Sequence, residues 1–144
     1  MSIDLKNINP KTEYPLATKR PEWVKTPTGK DLKEITLQKV LNGEVKTEDV
    51  RISPETLEMQ AKIAEADNRY AIARNLRIAS ELIAISDERI LEIYNALRPF
   101  CSTKEALLDI AEELKNKYGA KVNAEFVREA AKVYEKRNKL RKDS

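Results

Sequence analysis

The chain has 144 residues, 41% hydrophobic and 35% charged, with 27 Lys or Arg against 24 Asp or Glu, no histidine and one cysteine. That length suits one domain with a modest core, and no apolar run is long enough for a membrane span. The missing histidine removes the commonest general base and metal ligand, and lone Cys101 cannot form an internal disulfide, which fits a reducing cytoplasm.

Three glycines and two phenylalanines among abundant Ala, Leu, Ile, Glu and Lys predict an all-α fold. The expectation is a compact domain of five to six helices over 36–144, preceded by an extended, proline-rich N-terminal arm over 1–35. Pro10, Pro15, Pro21 and Pro27 are spaced too closely for a helix to propagate. The arm also holds Tyr14, Leu16, Trp23 and Val24, which a disordered tail usually lacks. Trp23 needs a surface to bury it, either this chain's own helices or a partner. Tryptophan's place in interface hot spots tips the balance slightly to a partner.

Thr36–Leu41 predicts a short helix starting near Asp31 or Thr36 and stopping before Gly43. A single helical turn is expected at Thr47–Asp49. Ser53-Pro54 opens a clear helix, serine as cap and proline at the first position. Asp67-Asn68 splits the next stretch into helices of about 54–66 and 69–84, a single kinked helix being the alternative, with Leu57, Ala61 and Ala64 inward on the first. Ala71, Leu76, Ala79, Leu82 and Ile83 are expected inward on the second.

Ser86 caps a helix over 87–97 with Asp87 and Glu88 in its first turn. Ile90, Leu91, Tyr94 and Leu97 recur at helical spacing as its apolar face, and Pro99 stops it. Ser102 and Glu105 form a capping box for a helix over 103–117, with Leu107, Leu108, Ala111 and Leu114 inward. Asn123 is expected to cap a last helix over about 124–139, with Phe126, Val127, Ala130, Ala131 and Tyr134 as its stripe.

Charge is unevenly placed. Residues 132–144 carry six Lys or Arg against two acids. This basic tail is the sole support for a free-standing helical adaptor or nucleic-acid-binding module. The favoured reading is cations complementing a helix dipole, followed by a solvated tail, so no nucleic-acid partner is expected. No catalytic, cofactor-binding or metal-binding constellation emerges. Thr26, Thr28 and Lys30 flank Gly29 without the spacing of a phosphate loop. Adjacent pairs such as Glu112-Glu113 diverge on a helix and share no site. Arg69, Arg74 and Arg77 offer a phosphate or carboxylate clamp, but read first as exposed ion pairs with Glu81 and neighbours, and next as partner contacts. The candidate interface residues are therefore Tyr14, Leu16, Trp23, Val24, Arg74 and Arg77.

Five segments in order carry a resemblance: YPLA at Tyr14–Ala17, PEWV at Pro21–Val24, RISPETLE at Arg51–Glu58, SDERILEIYNALRPFCST at Ser86–Thr103 and FVREAA at Phe126–Ala131. From about Tyr14 to its C-terminus the chain resembles the small (gamma) subunit of adenosylcobalamin-dependent glycerol and diol dehydratases. The resemblance implies a dimer of heterotrimers, with large (alpha) and medium (beta) subunits as partners. It implies conversion of glycerol to 3-hydroxypropionaldehyde, or of 1,2-propanediol to propionaldehyde. In that family adenosylcobalamin lies between the large and medium subunits, and the small one packs on the large one without supplying a catalytic or cofactor ligand. Thirteen residues precede Tyr14, so the polar extension linked to microcompartments in some diol dehydratases is expected to be absent, and the expected location is the bacterial cytoplasm. The ending RNKLRKDS and the passage TPTGKDL lean to the glycerol dehydratase branch.

Overall fold

A computed structural model describes residues 7–142. Every regular element among them is helical: α1 Pro10–Glu13, α2 Leu16–Lys19, α3 Leu37–Leu41, α4 Pro54–Ala66, α5 Tyr70–Leu82, α6 Asp87–Ala96, α7 Lys104–Lys117 and α8 Lys121–Lys136, with 3-10 turns at Pro21–Trp23, Leu32–Glu34 and Thr47–Val50. The chain divides into two units, one ending at Ser80 and one beginning at Glu81. The described residues contain no helix long and apolar enough to cross a membrane.

In the first unit the prolines punctuate the chain as their chemistry requires. Pro10 opens α1 behind Asn9, whose side chain accepts the Lys11 N–H at 3.0 Å. Pro15, joined to Tyr14 by a cis peptide, follows that turn and precedes α2. The expected extended arm is instead a run of one-turn helices. Each proline blocks propagation, yet its fixed φ suits the start of a turn.

Leu16 is buried, and Trp23 and Val24 pack with it against Met59 and Ile63 of α4. A second face of α4, Ala61 and Ala64, meets Ala73 and Leu76 of α5. Helix α4 is thus covered on two sides, so Met59 and Ile63 are core residues outside the stripe expected from spacing. Asn68, in the left-handed region at φ 60°, turns the chain between α4 and α5. The inward stripe of α5 is half polar. Arg77 reaches Glu58 and Glu65, and the Ser80 hydroxyl donates to the Pro54 carbonyl at 3.2 Å. That polarity explains why apolar spacing selected Ala71 and Ala79, which are exposed, instead of Ala73.

The second unit is more regular. Helices α7 and α8 pack against each other, and Ile85, Ile93, Leu107, Ala111, Leu114, Ala124, Val127 and Ala131 form one core. Four local expectations change here. Ile93, flanked by Ile90 and Leu97, faces inward on α6, whereas Leu91 and Tyr94 face solvent. Leu108 and Phe126 also lie outside, at 37% and 46% exposure. Thr103, not Ser102, caps α7 by accepting the Ala106 N–H at 3.2 Å. Helix α8 begins at Lys121, two residues before Asn123. Its first turn is capped from a distance: Glu81 accepts the Val122 and Asn123 N–H groups at 3.0 and 2.9 Å, and the Asn123 amide at 2.8 Å. A carboxylate from another element thus satisfies the orphan donors that a local cap would have served.

The basic tail is not simply solvated. The Phe100 N–H donates to the Lys139 carbonyl at 2.7 Å, the Arg141 N–H donates to the Ser102 carbonyl at 2.9 Å, and Leu140 packs against the core. Phe100 adopts φ 66°, a left-handed conformation that costs a non-glycine residue about 1–2 kcal/mol. The tail's hydrogen bond and the Lys139 ammonium, 4.8 Å from the ring centroid, hold it there.

Candidate partner-docking surface

Of the six interface candidates, all in the first unit, only some are available at the surface. Leu16 is 6% exposed and fills the unit's own core, and Trp23 and Val24 pack on that core. The Arg20 guanidinium lies 5.1 Å from the Trp23 ring centroid, closing one face of the indole. Of the two surfaces open to Trp23 on sequence grounds, the chain's own helices provide one. Tyr14 is 58% exposed.

Arg77 sits between two carboxylates, 3.2 Å from Glu58 and 2.8 Å from Glu65. Hydrogen bonding to Glu65, with support from Glu58, raises its already high pKa, and the same contact lowers that of Glu65. The guanidinium is thereby committed to joining α4 and α5. Its partners differ from the expected Glu81, which caps α8. Arg74 is exposed on the same helix.

Tyr14 lines a groove of about 610 Å³ together with Pro10, Ile63, Ala64, Ile72 and Leu76, with Lys11 and Arg69 also on its wall. Arg69 pairs with Asp67 at 2.9 Å. The groove lies where α1 packs on α4 and where Ala61 and Ala64 of α4 meet Ala73 of α5. Ile72 is 48% exposed, and no local signal but its position off the inward stripe of α5 marks it as a surface residue. Leu37 and Leu41, on one face of α3, are 76% and 72% exposed. Such apolar exposure is what a protein-contacting surface carries.

The polar residues around Gly29 turn out to be a staple. Thr26 Oγ1 accepts the Lys30 N–H at 2.9 Å, and Gly29 sits in the left-handed region at φ 86°. Lys30 Nζ donates to the Glu44 carbonyl and to buried Asp49, each at 2.6 Å. Asp49 also accepts from the Lys46 N–H at 2.7 Å and from the Thr28 hydroxyl. These bonds, led by Lys30, hold the Asp49 carboxyl well below the usual carboxylate range. The cluster's charge is internally matched, so it is a fold device and not an anion site. Among the described residues no group of three or more His, Cys, Asp or Glu is arranged to hold a metal.

The family model described as dehydratase small subunit matches residues 10–141. The propanediol dehydratase small subunit of Citrobacter freundii is 55% identical over 132 residues, covering 92% of this chain and 77% of the relative. That of Salmonella typhimurium is 56% identical over 132 residues, covering 92% and 76%. With five sequence segments, a helical architecture and a match along nearly its whole length, the chain belongs to the dehydratase small subunit family.

Proposed function

We propose that this chain is the non-catalytic small subunit of an adenosylcobalamin-dependent glycerol or diol dehydratase. It docks on the large subunit and supports assembly with the large and medium subunits as a dimer of heterotrimers in the bacterial cytoplasm. The holoenzyme dehydrates glycerol to 3-hydroxypropionaldehyde or 1,2-propanediol to propionaldehyde. The observation that carries this reading is the identity of 55–56% to propanediol dehydratase small subunits across 92% of the chain. The relatives' names favour the diol, while the TPTGKDL and RNKLRKDS segments support glycerol as an accepted substrate.

The residues on this chain do not fit the cofactor. The groove beside Tyr14 has the volume of a drug-sized pocket, far smaller than a corrin with its nucleotide and adenosyl arms. Its wall is mainly aliphatic, and its one arginine is paired with Asp67. In this reading the chemical steps belong to the other subunits. Its part is to bury apolar surface of the first unit, Tyr14 and Ile72 included, against a neighbouring subunit. Arg74 remains at the surface of α5 as a further contact residue in this reading.

Co-expression with tagged large and medium subunits tests it. The chain should co-purify in equal amount with the large subunit. Its absence from the purified complex would contradict the assignment.

A further inference from the structure

Helix α6 has two apolar faces. Ile90, Ile93 and Leu97 serve the core of the second unit. Leu91 and Tyr94 do not: they are 61% and 68% exposed. Asp87 precedes Leu91 by four residues and Arg98 follows Tyr94 by four, so all four lie on one stripe. Arg98 continues the last turn, its N–H donating to the Asn95 carbonyl at 3.2 Å. Asp87, the neighbouring Glu88 and Arg98 form no ion pair among the described residues. By contrast Arg89 is held by Glu113 and Glu92, whose hydrogen bonds raise its pKa.

The stripe therefore reads acid, leucine, tyrosine, arginine. It is anionic at the helix start, apolar with one hydroxyl in the middle and cationic at the end. Folding uses none of these four side chains, although Asp87 suits the helix dipole. Complementarity requires the reverse order in whatever covers it. An ordinary helix carries acids near its start and bases near its end, so it matches this stripe only when it runs antiparallel. In that pose an aliphatic patch meets Leu91 and Tyr94, and the two helix dipoles oppose.

We propose that this stripe is a docking site of the second unit for an antiparallel amphipathic helix of the large dehydratase subunit. That helix would set a Lys or Arg against Asp87 and Glu88, aliphatic side chains against Leu91 and Tyr94, and a carboxylate against Arg98. The identity of the partner rests on the function proposed above; the polarity of the contact rests on the stripe.

The test compares wild-type chain, Leu91→Ala/Tyr94→Ala, Arg98→Glu and a control, Leu108→Ala, each co-expressed with tagged large and medium subunits. Thermal melts of the isolated variants should match wild type, since the altered side chains are exposed. The double variant should lower the ratio of small to large chain about tenfold or more, as loss of a central aromatic anchor does. Arg98→Glu should lower it severalfold, with a deficit that shrinks at high salt. Leu108→Ala should behave as wild type. Double-variant retention equal to wild type overturns the stripe and leaves the small-subunit reading standing; failure of wild type itself to co-purify removes both. Sedimentation equilibrium supplies the remaining arm: a dimer of the isolated chain, lost in the double variant, would assign the stripe to a second copy and overturn the partner named here.

Discussion

The two units solve the same problem by different means. The second builds its core from ordinary amphipathic helices, with Leu107, Ala111 and Leu114 of α7 facing Val127 and Ala131 of α8. The first has a central helix, α4, with proline-punctuated turns on one side and α5 on the other, and secures itself with polar staples at Asp49, at Arg77 and at Glu13, which accepts the Asn9 N–H at 2.7 Å and pairs with Arg20 at 3.4 Å. Periodic helices advertise themselves through spacing. A unit held by isolated turns and buried charge does not, because each bond depends on residues distant in sequence.

The largest expected effect lies in the periodic unit. Leu107 is fully buried, and Leu107→Ala should cost about 2–5 kcal/mol through lost transfer energy and the remaining cavity. Hydrogen exchange should show α6 to α8 opening first. Equal loss of protection on α4 would contradict the division into two cores.

Trp23→Ala comes next and sharpens the contrast. It removes half-buried indole surface from Met59 and Ile63, a loss of about 2 kcal/mol at ordinary area coefficients. The first unit should loosen and assembly weaken, while turnover per assembled complex stays at wild type. Intact assembly with collapsed turnover per complex would show that this unit does more than scaffold.

The smallest global effect belongs to the Asp49 staple, where pH is the probe. Its carboxyl is held below the ordinary value of about 3.9. The unfolded chain therefore takes up the proton first on acidification. The stabilisation is complete above about pH 4 and is lost as pH falls toward the depressed folded value. Asp49→Asn should lower the melting temperature at pH 7, and its gap to wild type should narrow below pH 4. A gap that stayed constant with pH would show that the carboxylate's charge contributes nothing.

Much of the helical layout was legible. Ser53-Pro54, Asp67-Asn68 and Ser86 marked boundaries within a residue or two, because caps and breakers act locally. The misplaced features share one cause. Asn123 looked like a cap, but Glu81 does that work from 41 residues away. Leu91 and Tyr94 scanned as core, but α6 has apolar residues on two faces and Ile93 wins the inner one. The proline-rich segment read as extended, yet it forms one-turn helices; Leu16 is buried, Trp23 and Val24 are partly covered by their own unit's core, and Tyr14 is exposed. Composition shows how much apolar surface must be covered; it does not show by which chain.

The most direct test of the scaffold account is turnover by purified large and medium subunits with adenosylcobalamin, measured on 1,2-propanediol and on glycerol while this chain is titrated in. The account predicts that activity rises with the chain and saturates at one copy per large subunit, with an unchanged Michaelis constant for the diol. Full activity without the chain, or a Michaelis constant that shifts with substitutions at Tyr14 or Tyr94, would contradict it.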